Sequence, residues 1–160
     1  MWGSDSFDEE DRYWDALEEL LGSIDPIEFK HRYRDITKAL VSIVLPEKFE
    51  RLFHEITLCY QLGLFNAVVV FCRSTLEVVI EEYLMKKSIE IRKREKEGHL
   101  ESLINRCNEK QFILESSKDK AHRIRSLGND ILHEGSTCTH QDALSVIRDT
   151  ITIIEDLYKE

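Results

Sequence analysis

The sequence predicts an all-α protein, a bundle of five to seven helices. Three observations lead there. Apolar residues recur at three- and four-residue spacing along most of the chain, the period of one helix face. Helix breakers are scarce: 160 residues hold two prolines and six glycines. The balance of 33% charged to 42% hydrophobic residues supplies one core with well-solvated faces, which suits helices better than a sandwich or barrel. The length fits a single domain with a sizeable core.

The elements follow from local signals. Residues 7–21 place Tyr13, Trp14, Leu17, Leu20 and Leu21 at helical spacing among acids. That amphipathic helix must dock, either on the core of its own chain or in a basic groove of a partner. Gly22 to Pro26 ends it, with Asp25 placed as N-cap and Pro26 at the first position of the next helix. Residues 27–44 read as one helix or as a helix with an irregular end. From Pro46 the pattern restarts, with Phe49, Leu52, Phe53, Ile56, Cys59 and Tyr60 on one face and Gly63 as C-terminal cap. Residues 67–87 are apolar almost all round their first half and predict the most buried helix, although Val68, Val69 and Val70 would also suit a strand. Asn66 is a candidate to open it. Residues 86–98, KKSIEIRKREKEG, form a charged connector. Leu100, Leu103 and Ile104 mark a short helix over 99–108. Ser116 or Ser117 is positioned to cap the following helix, which Gly135 breaks. Thr139 caps the last one, whose apolar stripe runs through Ala143, Val146, Ile147, Thr150, Ile151, Ile154 and Leu157.

Charge is unevenly spread. Residues 1–25 carry nine acids and one base, and the remaining 135 residues are nearly neutral. Within them, residues 86–125 balance to +5 and residues 126–160 to −5. The chain thus divides into an acidic amphipathic arm, 1–25, and a helical domain, 26–160. The overall −9 excludes a protein that coats DNA and leaves room for a local basic patch. No apolar run approaches the roughly 20 residues of a membrane span, and the N-terminus lacks the apolar core of a signal peptide. Cys59, Cys72, Cys107 and Cys138 are scattered without a CxxC pair, so a reduced, cytoplasmic setting is expected and a zinc site is not. His54, His99 and His140 stand isolated and read as surface or helix-end residues.

The chemistry concentrates in residues 121–135, AHRIRSLGNDILHEG. Arg125, Asn129 and His133 are four apart, and four residues drift only about 40° around a helix. They share a face with His122, opposite Ile124, Leu127 and Ile131. A cation, an amide and imidazoles in one row suit gripping a phosphate backbone or acid–base chemistry on it. A purely structural role is the alternative, since a histidine in the last turn is favoured by the helix dipole. Arg73 and Glu77 sit four apart among Val, Phe, Leu and Ile. Buried ions need partners, so the two are expected to pair and to be largely buried, either as a buttress or within reach of the polar row. The wider basic set for nucleic acid is His122, Arg123, Lys86, Lys87, Arg92, Lys93 and Arg94. No GxGxxG, GxxxxGK[ST], GxSxG or HExxH motif is present.

These residues resemble the signature of the HEPN superfamily, higher eukaryotes and prokaryotes nucleotide-binding. Its usual motif is an Arg, often followed by Asn, then a His four to six residues after the Arg. Here Asn129 and His133 match, Gly128 stands where the Arg would be, and Arg125 lies a turn earlier. The pattern Arg-x-x-Gly-Asn-x-x-x-His, with Arg73 and Glu77 on a preceding core helix, is similar to an uncharacterised branch of that superfamily over about 49–158. The resemblance implies a HEPN-like helical bundle and a module that binds RNA or a nucleic-acid-processing partner in prokaryotic defence or stress response. It also implies a homodimer with the signature helix or the last helix near the interface, and no cofactor. A second reading is a metal-independent endoribonuclease, with His133 assisting attack of a ribose 2′-hydroxyl and Arg125 stabilising the charged phosphorus centre. A third is an acidic, antitoxin-like interaction protein.

Overall fold

The computed structural model describes residues 21–40, 47–91 and 99–159, together with positions 15, 18 and 19. Among them stand six helices and no strand: α1 (Pro26–Leu40), α2 (Glu47–Gln61), α3 (Phe65–Lys86), α4 (His99–Glu109), α5 (Glu115–Glu134) and α6 (His140–Tyr158). The all-α expectation holds. No helix among the described residues is long and apolar enough to cross a membrane. Of the leading arm, positions 15, 18, 19, 21 and 22 are helical. Leu21, expected on its docking face, is 57% exposed; Tyr13, Trp14, Leu17 and Leu20 lie outside the described residues.

The predicted stops and starts mostly hold. Asp25 caps α1 by accepting from the Ile27 amide at 2.8 Å. Gly63, at φ +80°, turns the chain out of α2, and the Leu64 amide reaches back to the Cys59 carbonyl at 2.9 Å. Gly135, at φ +67°, does the same for α5. Thr139 and Asp142 form a reciprocal capping box on α6. Two caps differ. α5 begins at Glu115, behind an extended Leu114 that offers no side-chain cap. Ser117 is instead buried and donates to Asp156 of α6. Burial alone would push the Asp156 carboxyl up, but the bonds from Ser117 and Lys159 outweigh it and hold the group below its ordinary value. Asn66 does not open α3 either, since the helix starts at Phe65. Its amide clamps the loop before α6, accepting from Cys138 N at 2.9 Å and donating to Ser136 O at 3.4 Å.

α3 is the axis of the bundle. It packs against α2, α4, α5 and α6, and α5 in turn packs on α4 and α6. Val68, Val69, Cys72, Leu76, Val79, Ile80 and Leu84 are fully buried along it. The valine run is helical because this burial outweighs the small helix penalty of β-branched residues. Each large side chain taken from water there contributes about 1.5–3 kcal/mol. The α6 stripe from Ala143 to Leu157 is buried in the same core, so it is not an open face for a second subunit. α1 sits on α2, with Ile36 buried, and Arg32 donates from Nε to the Gln61 carbonyl at 2.8 Å.

Thr139→Ala is expected to cost about 1 kcal/mol by removing the α6 cap; urea denaturation followed by circular dichroism measures it, and an unchanged midpoint would refute the role given to the capping box.

Candidate phosphate-contacting face

The predicted row on α5 is real as a helix face, but its members point to different neighbours. His122 Nε2 lies 3.1 Å from Asn105 Oδ1 on α4. Arg125 Nη1 lies 3.3 Å from Glu101 Oε2, also on α4. Its Nε is buried with no hydrogen-bond partner. Arg125 is thus engaged by an acid rather than held out for a ligand. Asn129 meets α3, where its Oδ1 accepts from Arg73 Nε at 2.9 Å. His133, in the last turn of α5, is exposed and has no hydrogen-bond partner among the described residues.

The α3 end of this face rests on a missing side chain. Gly128 is buried, and a Cβ placed there would lie 2.5 Å from Arg73 Cδ and 3.1 Å from Arg73 Cβ. The aliphatic stem of Arg73 therefore crosses α5 directly over Gly128. Its guanidinium arrives beside Asn129, the next residue, and pairs with Glu77 at 3.6 Å. Any side chain at 128 would collide with that stem, an arginine included. At the position where the resemblance looks for an arginine, the fold needs a glycine, and a guanidinium reaches the neighbouring asparagine from another helix. Arg73 and Glu77 are 23% and 32% exposed, so the pair lies at the rim and is less buried than expected.

The described members of the wider basic set have different neighbours. Arg123 points to α6, bonding Ser145 Oγ at 2.8 Å and Asp149 Oδ2 at 2.5 Å, with Lys120 beside the same carboxylate at 3.7 Å. Lys86 and Lys87 end α3, exposed, with Lys87 Nζ 5.4 Å from the centre of the Tyr83 ring. Arg92, Lys93 and Arg94 lie outside the described residues. Among the described residues no group of three His, Cys, Asp or Glu side chains is placed to hold a metal ion.

One histidine is less isolated than its sequence context suggests. His140 Nε2 lies 2.5 Å from the Tyr60 hydroxyl and 3.7 Å from Asp35, and its ring stacks on Tyr60. Burial, followed by the nearby Asp35 charge, pushes the Tyr60 hydroxyl up to about 12, so it stays protonated as a donor. No spacing rule could find a contact 80 residues apart. The same holds for Glu101 on Arg125.

Two measurements check this geometry. Gly128→Ala is expected to cost about 1–3 kcal/mol in the wild type through overpacking. In an Arg73→Ala background the same change becomes neutral or favourable by up to about 1 kcal/mol, because alanine is the better helix residue. Additive effects in this double-mutant cycle would show that the Arg73 stem is not the obstacle. The second concerns His122, whose pKa is lowered from 6.5 by burial first and by Arg125 second. A base with a depressed folded-state pKa binds its proton more readily when unfolded. Stability is therefore expected to fall as pH drops below about 6.5, and His122→Gln to flatten that slope. Unfolding free energies between pH 7.5 and 5.5 test it, and an identical slope in the variant would reject it.

A family model described as a domain of unknown function (DUF4145) matches residues 54–160, about two thirds of the chain. The matched stretch runs from within α2 to the end of the chain and so includes Arg73, Gly128, Asn129 and His133. No curated protein and no solved structure matches the chain. On the family match, over a region that holds the whole α3–α5 crossing, the chain belongs to the DUF4145 family.

Proposed function

We propose that this domain is a HEPN-like module that binds RNA, or a nucleic-acid-processing partner, in a prokaryotic defence or stress response. One juxtaposition carries the reading. The Arg73 guanidinium sits on Asn129, and Asn129 lies one turn before the exposed His133. A cation, an amide and an imidazole in a row on the rim of one helix can contact successive phosphates and sugars. The ligand would be gripped at a few points. Glu77 and Glu101 half-neutralise Arg73 and Arg125, and the chain carries −9 overall, so the expected contact is local and salt-sensitive.

A metal-independent endoribonuclease is the second reading, favoured by the same arrival of Arg73 at Asn129. In it His133 accepts the proton of the attacking ribose 2′-hydroxyl as base, or as acid donates one to the leaving oxygen as the phosphorus–oxygen bond breaks. Arg73 stabilises charge on the phosphorus oxygens, the part the sequence alone assigned to Arg125, which Glu101 engages instead. The Glu77 partner weakens that second role, and binding is the reading we prefer.

Fluorescence anisotropy with a labelled single-stranded oligoribonucleotide separates the two when run beside a cleavage assay in EDTA. The binding reading expects an affinity that falls with salt at a logarithmic slope of about −2, from roughly three phosphate contacts. It expects His133→Ala to weaken binding without a change in fold. The enzyme reading expects cleavage in EDTA that His133→Ala lowers by about 10²–10⁴. Absence of both salt-sensitive binding and cleavage would sink both and leave the acidic protein-interaction reading.

A further inference from the structure

A cavity of about 700 Å³ opens between the second half of α3, the turn that follows it and the start of α4. Its α3 wall is graded. Glu77, Glu81 and Met85 are four apart, so they run along one side of the helix from carboxylate to thioether. The floor comes from the turn. Ser88, at φ +58°, reverses the chain, and the Ile89 amide donates to the Leu84 carbonyl at 3.0 Å. Ile89 and Ile91 are thereby packed half-buried against the core, where they line the cavity. Arg106 of α4 fastens this segment by donating to the Glu90 carbonyl. His99, the first residue of α4, stands across from α3 with its Nε2 3.9 Å from Glu81 Oε2, beyond hydrogen-bond reach.

We propose that this cavity binds a small organic cation, an ammonium or guanidinium carried on an apolar body. Charge sets the sign of the ligand. Among the described residues that line the cavity are three glutamates, Glu77, Glu81 and Glu90, and no lysine or arginine. Glu77 is shared with Arg73 at 3.6 Å, and Glu81 has the His99 imidazole at its longer distance, so the lining stays acidic. It repels a phosphate and attracts a cation. Shape and composition set the rest. A volume of this size is that of a small-ligand pocket, and an apolar wall with a few polar groups at one end is the usual composition of one. The cationic head lies at Glu81, flanked by Glu77, where it donates a charge-assisted hydrogen bond. The body lies along Met85, Ile89 and Ile91. Residues 77 to 85 span about 12 Å of helix, which bounds head and body together at about 10 Å. The inference does not rest on the RNA-binding reading, whose ligand carries the opposite charge. The two sites meet at Glu77.

Titration of the isotope-labelled full chain with 4-phenylbutylamine, followed by nuclear magnetic resonance, tests this. Saturable shifts are expected at the amides of residues 77–91 and 99, with a Kd of about 0.1–1 mM for a ligand of this size. The alcohol 4-phenyl-1-butanol, with the same body and no charge, is expected to bind about tenfold more weakly. So is n-butylamine, with the charge and no ring. Glu81→Gln is expected to raise the amine Kd by about fivefold or more and to leave the unfolding midpoint unchanged, because the side chain is 44% exposed. Met85→Lys, at a site 63% exposed, sets an ammonium in the wall and is expected to abolish binding. Glu155→Gln, an exposed acid of α6 outside the cavity lining, is expected to leave the Kd unchanged. No saturable shift up to about 10 mM amine, shifts centred elsewhere, or equal affinity for amine and alcohol would each overturn the proposal. Equal losses in Glu81→Gln and Glu155→Gln would do so as well, by reducing the effect to general charge attraction. Binding that appears only after Arg92, Lys93 and Arg94 are replaced by serine would overturn it too, by giving the cavity to the chain's own bases.

Discussion

The crossing of α3 and α5 over Gly128 is the constraint on which the rest of the molecule depends. Two helices approach most closely where one of them lacks a side chain, and here the space is taken by the methylenes of Arg73. The stem supplies apolar contact to the core side while the charged head stays at the rim, the usual division of labour in a long basic side chain. Because α3 also carries α2, α4 and α6, a shift at this crossing would move every other interface. The head group then links the packing to the surface: its bonds to Asn129 and Glu77 orient one side of the candidate face.

That arrangement accounts for the glycine at 128. Viewed one helix at a time it breaks the polar row of α5. Viewed across two helices it is a packing requirement, and a guanidinium from the facing helix lies beside the next residue, Asn129. The rest of the row is divided in the same way. Arg125 is bound to Glu101 and His122 to Asn105, both on α4, so those two serve the α4–α5 seam and leave the α5 C-terminus as the open end.

Much of the fold was legible because its signals are local. Asp25, Gly63, Gly135 and Thr139 each act within four residues, through a capping bond or a left-handed turn, and each stands where its type requires. The core stripe of α6 and the burial of α3 follow from period alone. What was hidden depends on partners far along the chain. Ser117 looked like a cap and is a tertiary bond to Asp156, Asn66 looked like a helix start and is a clamp on the loop before α6, and His140 looked isolated and lies on Tyr60. Polar residues that suit caps also suit long-range bonds, because the same short donor and acceptor groups serve both. The candidate site was half legible for this reason: the row on α5 is periodic, whereas its partners Glu101 and Arg73 come from other helices.

The attachment of α1 differs in kind from that of the other helices. Its packing is on α2, and beyond the burial of Ile36 it is held by polar bonds, Arg32 to the last carbonyl of α2 and Asp35 to His140. It also precedes the region that the family model matches. An element fastened at one flank can come away without opening the centre, whereas α3 cannot loosen without breaking four interfaces at once. The molecule is therefore a tightly cooperative kernel with an outer layer of lower opening free energy. The kernel could keep its architecture under replacement of that layer, so the leading helices are where members built on this core have freedom to diverge.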